Sequence, residues 1–112
     1  MSEQPPFDPA AMFAHVVKVG DEWADTKAAY EALDDMTKTV LADVTADYLP
    51  QESSRAAAEM RALGSKVYKE HLAAVASARR AFLRAQVSYE GAKMLAGLRQ
   101  TQESTRRAEM RL

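Results

Sequence analysis

The sequence predicts an all-α protein: a long antiparallel helical hairpin of coiled-coil character with a C-terminal helical overhang, dimerising into a helical bundle. Three observations predict it. Apolar residues recur at helical spacing along most of the 112 residues. Pro50 interrupts that pattern near its middle, where a chain reversal is expected. Charge is also divided between the halves, with eleven acids and three bases up to Glu52 and twelve bases and five acids from Ser53 onward.

The elements follow in order. Residues 1–8 are acidic and proline-bearing, lack the basic and apolar blocks of a signal peptide, and are expected to be flexible. Asp8-Pro9 is a helix start: the carboxylate can accept from free backbone N–H groups, and proline at the first helical position loses no hydrogen bond. The first helix is expected to run from Pro9 to about Tyr48. Met12, Val16, Val19, Trp23, Tyr30, Leu33, Thr37, Leu41, Val44 and Tyr48 fall on one side, with Asp21, Asp25, Asp35, Asp43 and Asp47 opposite.

Pro50 disfavours α geometry at Leu49 and suits the opening of the next helix, so the turn is placed near 49–50. The second helix then reads from Pro50 to at least Glu90. Met60, Gly64, Val67, His71, Ala74, Val75, Ala78, Phe82, Ala85, Tyr89 and Ala92 cluster on one face, whose glycine and alanine allow close approach of two helix axes. Gly64 is read as a close-packing residue. With this turn Asp8 faces Gly91, residues 9–91 form the hairpin, and 92–112 is a basic extension beyond it.

No residue cluster specifies chemistry. Without cysteine there is no disulfide, thiolate ligand or cysteine nucleophile. His15 and His71 belong to no ligand-spaced set, and no phosphate-loop glycine pattern occurs. The acids of the first helix lie on a solvated face, without the apolar wall that would tune an acid/base pair. No catalytic, metal or cofactor site is therefore expected. No segment approaches the roughly 18 uninterrupted apolar residues of a membrane span, and a cytoplasmic protein is expected.

The candidate surfaces are of two kinds. Arg55, Lys66, Lys69, Arg80 and Arg84 form a basic face suited to nucleic acid or an acidic partner, joined by Arg99, Arg106, Arg107 and Arg111 from the extension. Trp23, Tyr30, Val67, His71, Phe82 and Tyr89 mark the core and oligomer face. The apolar stripes are wider than a two-helix seam covers, which is why a dimer is expected.

Tyr68-Lys69-Glu70-His71, Ala78-Arg79-Arg80, Tyr89-Glu90 and the ending Ser104-Thr105-Arg106-Arg107-Ala108-Glu109-Met110-Arg111-Leu112 resemble small helical proteins of tailed bacteriophages and prophages. That resemblance covers about half the chain and implies a phage accessory protein, some relatives of that kind lying near genes for DNA recombination and strand annealing. The expected function is a non-enzymatic helical protein–protein interaction module. The alternative is a nucleic-acid-binding accessory in phage recombination or replication.

Overall fold

In a computed structural model, which describes residues 6–111, the chain is an all-α helical hairpin. Its helices are α1 (Pro9–Asp35), α2 (Thr37–Tyr48), α3 (Arg55–Leu63) and α4 (Lys66–Met110), with a 3-10 turn at Leu49–Gln51. The chain divides into two compact units, Asp25–Phe82 and the described residues on either side of it. Residues 1–5 of the expected flexible terminus lie outside the described residues.

The start of α1 is as its sequence dictates. Oδ1 of Asp8 accepts from the N–H groups of Ala10 and Ala11 at 3.1 and 3.2 Å. These are two of the donors that an α-helix leaves without an internal partner.

In the unit made by the outer residues, α1 packs antiparallel against the C-terminal part of α4. Trp23 stacks on Tyr89 with ring centroids 5.4 Å apart, and the Arg99 guanidinium lies 5.7 Å from the Phe7 ring. The covered positions on this part of α4 alternate at three and four residues: Ala85, Tyr89, Ala92, Ala96 and Arg99. On α1 they are Met12, Val16, Val19 and Trp23 in the same rhythm. This 3.5-residue period is that of a coiled coil, and here large side chains of one helix meet alanines of the other. Gly20 belongs to the same fit, because a Cβ there would stand 3.0 Å from Cε1 of Tyr89.

In the Asp25–Phe82 unit, Tyr30 stacks on Phe82 at 5.8 Å, Oγ1 of Thr37 and Nε2 of His71 are hydrogen-bonded at 3.0 Å, and the Arg61 guanidinium sits 4.5 Å from the Tyr48 ring centroid. The buried centre of this unit is Val44, Thr45, Ala58, Ala62 and Ser65, where α2 packs on α3. Alanine at the two fully buried positions permits close approach of the two backbones.

The two expected helices are each interrupted. Met36 separates α1 from α2, its N–H bonding to the carbonyl three residues back at Leu33. Asp34 and Asp35 are poorly placed at the end of one helix and well placed ahead of the next, so the break suits their charge. The second interruption, Gly64–Ser65, has a sharper cause. Oγ of Ser65 accepts from the Tyr68 N–H at 3.2 Å and donates to the Ala62 carbonyl at 2.7 Å, ending α3 and starting α4 with one buried side chain.

The turn requires a correction. A reversal at Leu49–Pro50 would set Trp23 opposite Ala76 and Asp8 opposite Gly91; instead Trp23 faces Tyr89 and Phe7 faces Arg99. Pro50 lies within the 3-10 turn, and the return helix begins only at Arg55, where Oγ of Ser54 accepts from the Ala57 N–H at 3.1 Å. The later start moves the register of the pairing along the second half. Residues 92–100 are consequently part of the paired region and not an extension beyond it, while α4 runs through Gly91 and Gly97 to Met110. The overhang is the part of α4 beyond Gln100.

Candidate interaction surface

The surface most in need of explanation is on α4 in the outer-residue unit. Between Leu83 and Leu98 this helix uses Ala85, Tyr89, Ala92 and Ala96 against α1. At 100° per residue Leu83, Val87, Met94 and Leu98 fall within about 60° of arc on the opposite side. They are 41, 70, 69 and 56 % exposed. A helix that is apolar on two opposite faces has one of them unpartnered within the chain. Gly91 falls just beyond one edge of that arc and the exposed Leu95 further round the same side; nothing comes within 4 Å of where the Cβ of Gly91 would be.

On α1, Phe13 is also exposed, at the rim of an open groove with Met12, Val16, Lys93, Ala96 and Gly97. Lys93 there holds its ammonium 4.5 Å from the Tyr89 ring centroid. The groove is thus apolar with one cation at its edge.

Of the residues expected to form the core or oligomer face, Trp23, Tyr30, His71, Phe82 and Tyr89 lie in the two seams and are consumed by pairing within the chain. Val67 does not join them; it is exposed, as are Met60 and Gly64 from the same expected stripe. The inward positions lie two residues earlier than that stripe, at Ala58, Ala62 and Ser65. Gly64 meets only its own neighbour's carbonyl at 3.7 Å, and the close-packing glycine is Gly20.

The basic residues are divided by the same break. Arg55 belongs to α3, in a shallow groove with Lys38, Leu41, Ala42, Thr45 and Glu59, whereas Lys66, Lys69, Arg80 and Arg84 belong to α4. They do not form one uninterrupted helix face. Lys66 pairs with Glu70 across one turn at 3.7 Å, and Lys69 and Arg80 are exposed. Arg84 lies in the outer-residue unit, as do the exposed tail residues Arg106, Arg107 and Arg111; Arg99, by contrast, is half-buried over Phe7.

Among the described residues no helix is long and apolar enough to cross a membrane, and no cluster of three or more His, Asp or Glu side chains has the arrangement to hold a metal ion. The chain matches no family model, no curated protein and no solved structure.

Proposed function

We propose that this chain is a non-enzymatic helical interaction module that self-associates and, in that form, engages other proteins in the cytoplasm. One observation carries the reading: α4 stays apolar on its outward face after its inward face has been covered by α1. Exposed Leu, Val and Met side chains in a row at helical spacing are the usual anchors of helix-in-groove and bundle contacts. The likeness of the second half to small phage and prophage proteins makes a phage accessory role the biological setting of the proposal.

A nucleic-acid-binding accessory is the second reading, favoured by the exposure of Lys69, Arg80, Arg106, Arg107 and Arg111. The two readings respond differently to salt. Contacts made by apolar side chains hold as salt rises, whereas phosphate contacts weaken steeply with it.

The test is molar mass by light scattering over a broad concentration range at two salt concentrations, with and without a labelled single-stranded oligonucleotide. A dimer insensitive to salt and indifferent to the oligonucleotide is the expected result. A monomer at every concentration would remove the self-associating module, and salt-sensitive binding of the oligonucleotide would promote the basic residues to the functional surface.

A further inference from the structure

We draw no further inference here: the strongest candidate, the exposed apolar face of α4 at Leu83, Val87, Met94, Leu95 and Leu98, already carries the proposed self-association, and nothing in the structure shows what covers it or in which register.

Discussion

Two glycines of the outer-residue unit should respond in opposite directions to the same substitution. Replacing a helix-interior glycine with alanine is worth about 0.8–1 kcal/mol of helix stability when the methyl has room. At Gly97 nothing comes within 4 Å of the new Cβ, so Gly97→Ala should realise that gain. At Gly20 the same methyl arrives 3.0 Å from Cε1 and 3.4 Å from Cδ1 of Tyr89. The ring cannot retreat freely, since Trp23 stacks on it at 5.4 Å and the Lys93 ammonium lies 4.5 Å from its centroid. Overfilling a packed contact costs about 1–3 kcal/mol, which outweighs the propensity gain and leaves Gly20→Ala destabilised by about 1 kcal/mol. For a chain of this size each 1 kcal/mol moves the melting temperature by about 4–8 °C. Thermal and urea unfolding followed by circular dichroism at one fixed protein concentration should therefore show Gly97→Ala above the parent and Gly20→Ala below it. If Gly20→Ala were stabilised as much as Gly97→Ala, the close fit of Tyr89 over Gly20 would be wrong.

Three further outcomes follow from the Asp25–Phe82 unit. Ser65→Ala removes a buried hydroxyl that both caps α4 and bonds the end of α3, and should cost about 1–2 kcal/mol in urea unfolding with an unchanged denaturant slope. Thr37→Val and His71→Leu, singly and together, should show a coupling of about 0.5–1.5 kcal/mol, because each leaves the other's polar atom without its seam partner; additive effects would mean that the bond contributes nothing. Arg61→Ala loses both the 2.9 Å ion pair to Glu52 and the face of Tyr48. Arg61 is exposed, so global stability should fall by less than about 1.5 kcal/mol, while amide exchange across residues 49–54 should quicken.

Much of the architecture was legible because the signals were local. Asp8-Pro9 states a helix start, and Met12, Val16, Val19 and Trp23 state the inward face of α1 without reference to anything distant. Proline marks where the reversal begins, and serine where it ends. Pro50 is compatible with the first turn of a 3-10 segment, whereas Ser54, directly before the alanine run of α3, carries the cap that restarts the helix. Ser65 carries the same signal after Gly64, and reading it would have shifted the phase of α3 and replaced Met60, Gly64 and Val67 with Ala58, Ala62 and Ser65 as inward residues. The aromatic seam was found, but its assignment to an oligomer face was not separable from pairing within the chain on periodicity alone. A knob facing α1 and a knob facing another molecule have the same spacing.

That ambiguity is resolved for α4 by phase. Once Ala85, Tyr89, Ala92 and Ala96 are assigned to the seam, Leu83, Val87, Met94 and Leu98 are no longer a broad margin of the same stripe but form a second one on the opposite side, with the exposed Leu95 between the two. The small residues of the first stripe are explained by close packing against Met12, Val16, Val19 and Trp23. Among the described residues nothing covers the large residues of the second. Leucine, valine and methionine on a solvated helix face favour association. A methyl at Gly91 meets nothing within 4 Å, so Gly91→Ala should raise the stability of the isolated monomer by about 0.8–1 kcal/mol, whereas Val87→Glu should weaken any association through this face. Parallel measurements of unfolding at low concentration and of dissociation by sedimentation separate the two effects. A Val87→Glu chain that associated as tightly as the parent would show that the face is solvated in the working protein.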